Sequence, residues 1–175
     1  MGEVNPIEIE LTVNGETRRC RVMPHRLLVE FLREDLGLTG THVGCDTAQC
    51  GACTVLWNGR PVKACNTLAV EAAGAAITTI EGLAPSPKGI ADEAAWHPMQ
   101  RAFHEHHGLQ CGFCTPGMIM AAIGIAERHG DALDEETVRA ELEGNLCRCT
   151  GYQNIVDAVL AGARAMTPAA QRGDG

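Results

Sequence analysis

Aromatic residues are scarce in this chain of 175 residues, which has only three Phe, two Trp and one Tyr. An excess of positive charge is also lacking, because 14 Lys and Arg residues stand against 22 Asp and Glu residues, for a formal net charge of −8. A nucleic-acid-binding surface requires a basic footprint that meets the phosphates. The charge balance therefore excludes nucleic acid as the expected partner.

Long apolar segments and familiar catalytic motifs are absent too. No stretch approaches the ~20 apolar residues of a membrane-spanning helix, and the start MGEVNPIEIELTVNG lacks the cationic and apolar regions of a secretory signal. The chain has no Walker loop, no dinucleotide-binding glycine fingerprint after a strand and no nucleophile elbow. The sequence thus predicts a cytoplasmic protein with no transmembrane segment and no substrate site of its own.

Cysteine, by contrast, is abundant, with nine residues. A reducing cytoplasm disfavours disulfides, and an odd, tightly clustered set favours metal binding. Cys20 falls at an apolar position of a predicted strand, where a packed core thiol is expected rather than a ligand. The remaining eight form two quartets, one in each half of the chain: Cys45, Cys50, Cys53 and Cys65, then Cys111, Cys114, Cys147 and Cys149.

The first half has the pattern of strands packed on one helix. Residues 7–13 alternate apolar and polar side chains before the turn Asn14-Gly15, and residues 54–65 repeat a strand, a turn at Asn58-Gly59 and a strand. The apolar spacing of residues 26–37 predicts a helix, and residues 76–83 read as a last strand. A small α+β domain over residues 1–83 follows from this pattern.

The second half has helical spacing. Residues 84–91 contain two Pro and one Gly and are predicted to be a linker. Helices are predicted at about residues 92–107, 116–130, 134–143 and 153–166. The sequence therefore predicts a helical domain over residues 92–166, followed by a disordered tail at 167–175.

The first quartet has the spacing C-x4-C-x2-C-x11-C, whose opening is the plant-type signature of a [2Fe–2S] cluster. Gly44 and Gly51 lie beside these cysteines, where a missing Cβ lets backbone N–H groups approach the inorganic sulfides. The fourth cysteine departs from plant ferredoxins, in which a much longer gap precedes it. Zinc is the alternative, but zinc sites usually pair two short C-x2–4-C knuckles, so the spacing favours the cluster.

The second quartet consists of Cys111-x2-Cys114, 32 residues, and Cys147-x-Cys149. This pattern fits zinc as well as a cluster, since four sulfurs suit either metal type. A redox disulfide between Cys111 and Cys114 is a further alternative, although the required βαβ context is missing. Two predicted helices lie between the pairs and would bring both to helix ends on one side. The neighbouring quartet favours a second [2Fe–2S] cluster.

Three stretches, HVGCDTAQCGACTV, GLQCGFCTPGMIM and GNLCRCTGYQNIV, closely resemble the small iron–sulfur subunit of molybdenum hydroxylases, the xanthine oxidase and aerobic carbon monoxide dehydrogenase family. The resemblance runs from about residue 5 to residue 165 and is closest in appearance to the carbon monoxide dehydrogenase small subunit. It implies an N-terminal plant-ferredoxin-like β-grasp domain and a C-terminal four-helix bundle, each with one [2Fe–2S] cluster.

The resemblance also implies roles for site residues and partners. The second quartet would hold the cluster next to molybdenum, and the first quartet the cluster next to the flavin. Gln110 and Cys149 would contact the pterin of a Mo-pyranopterin cytosine dinucleotide on a large subunit. FAD would be bound by a medium subunit, and the assembly would be a dimer of heterotrimers.

The function implied is electron transfer from molybdenum through both clusters to FAD, with no catalytic residue on this chain. An aerobic carbon monoxide dehydrogenase is the expected holoenzyme, and an aldehyde, purine or N-heterocycle dehydrogenase is the alternative. Two other classes stay open: a free-standing two-cluster ferredoxin and a zinc-stabilised interaction module. A mobile ferredoxin has no evident use for Gln110 beside a cluster. This residue therefore favours the electron-transfer subunit over the free-standing ferredoxin.

Overall fold

A mixed five-stranded sheet forms the first half of the protein, whose computed structural model describes residues 4–84 and 93–167. Its strands are β1 (Ile7–Val13), β2 (Glu16–Val22), β3 (Thr54–Trp57), β4 (Arg60–Lys63) and β5 (Ala76–Thr78). They lie in the order β2-β1-β5-β3-β4, with β1 parallel to β5 and the other neighbours antiparallel. The predicted α+β class is confirmed, and the sheet is consistent with a ferredoxin-like fold.

Both predicted hairpin turns are present. Asn14 and Gly15 have φ angles of 51° and 83°, and Asn58 and Gly59 have 48° and 80°. Positive φ at both central residues characterises the type I′ turn, whose twist matches that of the flanking strands and which Asn-Gly favours. The Asn-Gly pairs therefore set the register of β1 on β2 and of β3 on β4.

The predicted last strand over residues 76–83 is wrong in its second half. β5 ends at Thr78, and a short helix, α2 (Ile80–Leu83), follows. Thr79 N donates to Asn14 Oδ1, and Asn14 Nδ2 donates to Thr79 Oγ1, both at 2.9 Å. Because a turn side chain satisfies the Thr79 amide, the strand ladder stops there.

One helix covers the inner face of the sheet. It begins as α1 (Leu28–Glu30) and continues as a π-helical turn over Phe31–Asp35, within the range predicted. Leu28, Phe31 and Leu32 are fully buried against the sheet. Cys20 packs against the same core, as expected of a structural thiol.

The second half contains four longer helices with their own core. They are α3 (Pro98–Glu105), α4 (Thr115–His129), α5 (Glu135–Glu141) and α6 (Gln153–Met166). The first is shorter than predicted at both ends, because it begins only at Pro98, after the N-cap His97, and ends before His107, whose φ of 53° turns the chain out of the helix. None of the helices in the described residues combines the length and apolarity that a membrane crossing requires. Apart from Ala84 and Thr167, the predicted linker and tail lie outside those residues.

The two halves pack directly on each other. Leu56 of β3 belongs to the helical core, and a Cβ on Gly124 of α4 would lie 2.5 Å from Cδ of Pro61. The contact between α4 and the β3–β4 hairpin therefore leaves no room for a larger residue. This packing places the loops that carry the two cysteine quartets side by side.

Candidate metal centres

The first quartet comes together because of the short β3–β4 hairpin. Its first three members lie in the loop before β3, and Cys65 follows β4 directly. Thr54 pairs with Lys63 at the base of the hairpin, and Ala64 N donates to Cys53 O at 3.3 Å. A two-residue turn thus returns the chain to its starting point, which explains the gap of eleven residues before the fourth cysteine.

The four thiols of this quartet form two pairs. Cys50 N–H donates to Cys45 Sγ at 3.4 Å, and the two side chains also hydrogen-bond each other. Cys53 and Cys65 are linked by a hydrogen bond between their side chains. The sequence-predicted members are therefore all brought together, two and two.

Backbone donors and burial give these thiols different acidities. Hydrogen bonds from the backbone of Cys50 and Thr47 lower the pKa of Cys45 to about 6. Burial raises the pKa of Cys53 to about 12. A metal-ligating thiol must be deprotonated. Near neutral pH the Cys45 thiol is thus mostly deprotonated, whereas the Cys53 thiol keeps its proton.

The second quartet is assembled by the helices. Cys111 and Cys114 lie between α3 and α4, and Cys147 and Cys149 lie just before α6. Sγ of Cys149 lies 3.5 Å from Sγ of Cys111, and the side chains of Cys114 and Cys147 hydrogen-bond each other. The out-and-back path of α4 and α5 therefore brings the predicted pairs to one end, again two and two.

Polar groups order the loop around Cys147. Its backbone N–H donates to the Tyr152 hydroxyl at 2.8 Å, and Thr150 Oγ1 lies 3.2 Å from its Sγ. Tyr152 has a φ of 72°, a left-handed conformation uncommon for a large side chain. Cys114 is the N-cap of α4, so the positive end of the helix dipole favours its thiolate. Burial raises the pKa of the Cys114 thiol to about 12.

One edge of the second quartet is open. Gln110, Cys111 and Cys149 are all exposed, and Phe113 beside them is 48% exposed. The Phe113 ring stacks on His42 with centroids 4.9 Å apart, which connects this edge to the loop of the first quartet.

The donor set of the two quartets fits iron–sulfur clusters. Within the described residues, no group of three or more His, Cys, Asp or Glu side chains is arranged to hold one metal ion. Four thiolates are the ligand set of a [2Fe–2S] cluster, and each quartet supplies four thiols that interact with one another. The residues present therefore fit two binuclear clusters, although four sulfurs also suit zinc.

Two protein families match the chain. The family "2Fe-2S iron-sulfur cluster binding domain" matches residues 11–76, and the family "[2Fe-2S] binding domain" matches residues 79–160. The caffeine dehydrogenase subunit gamma of Pseudomonas sp. (strain CBB1) is 48% identical over 153 residues, covering 86% of this chain and 87% of that protein.

Two solved structures have the same fold. Quinoline 2-oxidoreductase from Pseudomonas putida 86 matches with a TM-score of 0.81 and 42% identity, over 98% of this chain and 99% of that chain. Aldehyde oxidoreductase from Desulfovibrio gigas matches with a TM-score of 0.82 and 43% identity, over 93% of this chain and 18% of that chain. The chain belongs to the small iron–sulfur subunits of molybdenum hydroxylases.

The iron–sulfur subunit thus carries two [2Fe–2S] clusters and transfers electrons in a molybdenum-dependent oxidoreductase, as predicted. Arg148 is exposed, consistent with a solvated side chain. The sequence reasoning missed Asn145, which is buried between the two cysteine loops. Its position beside the C-x-C pair is the one signal that points to it, and that signal does not reveal its contacts.

Gly51, between the second and third cysteines, generates a prediction. Its φ is +73°, and a Cβ there would lie 2.5 Å from Asn145 Nδ2 and from Gly144 O. Gly51→Ala should combine backbone strain of about 1 kcal/mol with overpacking of about 1–3 kcal/mol, and should lower the thermal unfolding midpoint measured by calorimetry.

Gly59→Ala is the matched control, because Gly59 has a φ of +80° and a Cβ at that position would meet no atom within 4 Å. It carries the strain without the clash, so its midpoint should fall by less than half as much. Equal midpoints for the two variants would contradict the role of close packing between the cysteine loops.

Proposed function

We propose that each quartet holds one of the two clusters and that the subunit conducts electrons from a molybdenum centre to a flavin. The observation that carries the proposal is the pairing of eight thiols into two quartets. When bound, each cluster supplies a one-electron carrier. The ligands would be Cys45, Cys50, Cys53 and Cys65 for one cluster and Cys111, Cys114, Cys147 and Cys149 for the other.

The open edge of the second quartet supports its assignment to the molybdenum side. The exposed amide of Gln110 offers a donor and an acceptor, which suits the polar heterocycle of a pterin. Cys149 is exposed at the same edge, where its sulfur can accept a hydrogen bond from the pterin while it ligates iron. The first quartet would then deliver electrons to FAD on the medium subunit.

Two separate hydrophobic cores support the division into a ferredoxin-like domain over 1–83 and a four-helix bundle over 92–166. In the aldehyde oxidoreductase of Desulfovibrio gigas, the matching segment is 18% of a longer chain. There the corresponding domains share a polypeptide with the remainder of the protein, which supports a permanent assembly here. We infer a dimer of heterotrimers, and the cytoplasmic location stays a prediction.

The names of relatives bear on the substrate of the holoenzyme. Those of caffeine dehydrogenase and quinoline 2-oxidoreductase each denote an N-heterocycle, whereas that of aldehyde oxidoreductase, which is less identical to this chain than the caffeine enzyme, denotes an aldehyde. The first two names favour an N-heterocycle dehydrogenase, one of the alternatives weighed from the sequence. Carbon monoxide oxidation stays a prediction that none of these names supports.

Cluster content tests the ligands. Two clusters of two irons give 2 × 2 = 4 irons per chain. Cys65→Ser and Cys147→Ser should each lower this to about two and remove a different signal from the EPR spectrum of the reduced protein. Cys20→Ser, the matched control, should retain all the iron. Full iron in either ligand variant, or zinc in place of iron, would contradict the assignment.

Substitution of Gln110 tests whether the open edge of the second quartet contacts the pterin. Gln110→Ala should leave both clusters assembled and slow reduction of the clusters by substrate in the holoenzyme by about tenfold, the effect of one lost hydrogen bond. Stopped-flow absorbance of the clusters measures the rate. The control is Gln153→Ala, an exposed residue of α6, which should react at the unmodified rate. Loss of iron from Gln110→Ala would instead give Gln110 a structural role.

Substrate assays discriminate the holoenzymes. The purified assembly, with an artificial dye as electron acceptor, should turn over quinoline or caffeine faster than carbon monoxide or a simple aldehyde. Turnover of carbon monoxide alone would instead support an aerobic carbon monoxide dehydrogenase as the holoenzyme. Full physiological activity of this chain as a monomer would instead indicate a free-standing ferredoxin.

A further inference from the structure

Asn145 lies at the junction of three chain segments. Its side chain is buried, and Nδ2 donates to Gly51 O at 3.1 Å, to Gly117 O at 3.2 Å and to Thr54 Oγ1 at 3.4 Å. Gly51 and Thr54 lie on either side of Cys53 in the first quartet, whereas Gly117 lies in the first turn of α4, which follows Cys114. One amide group therefore ties the loop of the second quartet to the loop of the first.

Close packing leaves this junction little freedom. A Cβ on Gly117 would lie 2.3 Å from Gly51 O, and a Cβ on Gly51 would lie 2.5 Å from Asn145 Nδ2. A carboxamide has two N–H donors, and here they are shared among three acceptors. The amide therefore helps to fix the spacing of the two cysteine loops.

The consequence of this spacing is a direct hydrogen bond between the cysteine loops. Leu146 N donates to Cys50 O at 2.8 Å. Leu146 precedes Cys147 in the chain, so one hydrogen bond and the backbone of one residue connect a proposed ligand of one cluster with a proposed ligand of the other. Asn145 orients that amide from the adjacent position.

We propose that Asn145 is a positioning residue for electron transfer between the two clusters, which it serves by holding the Leu146 amide on the Cys50 carbonyl. The proposal rests on the ligand assignment under "Proposed function". One electron passes from the donor cluster to the acceptor cluster. The donor is thereby oxidised by one electron, and the acceptor is reduced by one electron. No proton and no atom is exchanged between the loops.

Two pairs of variants in the holoenzyme test the proposal. Asn145→Asp replaces the donor by a carboxylate that faces three oxygens, and its control is Asn154→Asp, an exposed Asn on α6 whose amide donates to His107 O at 3.3 Å. Leu146→Pro removes the bridging N–H together with the Leu side chain, and its control is Leu146→Ala, which shortens the side chain but keeps the N–H. Asn145 has φ −130° and ψ 109°, an extended conformation close to the region favoured before proline.

Three measurements apply to each variant. Iron content and EPR redox titration report whether both clusters are present and at which potentials. Hydrogen exchange followed by mass spectrometry with fragmentation reports the Leu146 amide where that amide exists. Pulse radiolysis, with a viologen radical as one-electron reductant, reports the rate at which the electron equilibrates between the clusters.

We expect both clusters in Asn145→Asp, with Leu146 exchange about tenfold faster and inter-cluster transfer slowed about tenfold. Leu146→Pro should show the same slowing, and both controls should match the unmodified protein. An unchanged transfer rate in both test variants would overturn the proposal. So would loss of iron from both, because Asn145 would then serve assembly and not transfer. Absence of iron from the unmodified protein would instead contradict the ligand assignment.

Discussion

Close contact between the two cysteine loops, held by the buried Asn145 amide together with the hydrogen bond from Leu146 N to Cys50 O, is the constraint on which the rest of the structure depends. Asn145 satisfies oxygens from the first loop and from the start of α4. A buried amide without such partners would be strongly destabilising, so the contact cannot loosen gradually. The helical half must therefore sit where the ferredoxin-like half presents these acceptors, and the glycines at the contact let it do so.

Burial differs between the quartets in a way that suits their roles. Cys53 is almost completely inaccessible, whereas Cys111 and Cys149 are exposed. An anionic cluster in a chain of net charge −8 needs backbone donors and helix ends to offset its desolvation. Cys45 receives backbone donors, and Cys114 caps a helix. Under the proposed assignment, the open edge is the face that a partner subunit would cover.

Local chemistry made most of the fold predictable. The Asn-Gly turns, the alternation in β1 and the helical spacing after residue 92 all depend on neighbours in sequence, and the structure bears them out. The strand expected over 76–83 was half wrong because Asn14, distant in sequence, captures the Thr79 amide. Strand propensity depends on residues that are close in sequence. It therefore cannot predict that a side chain from a distant turn will hydrogen-bond to the end of the strand.

The sequence by itself grouped eight cysteines into two quartets and predicted the cluster type of the first, because metal ligation constrains spacing along the chain and few other chemistries require C-x4-C-x2-C. For the second quartet the spacing alone left zinc open, and the family match supplied the cluster type. Only the tertiary structure decided how the two quartets approach each other. Nothing in the sequence distinguishes the residues of this contact, which are Asn145, Gly51 and Gly117. Their role becomes visible only when the fold brings their segments together. Hydrogen bonds between residues as far apart as Asn145 and Gly51 form by packing, and packing has no signature in any short stretch of sequence.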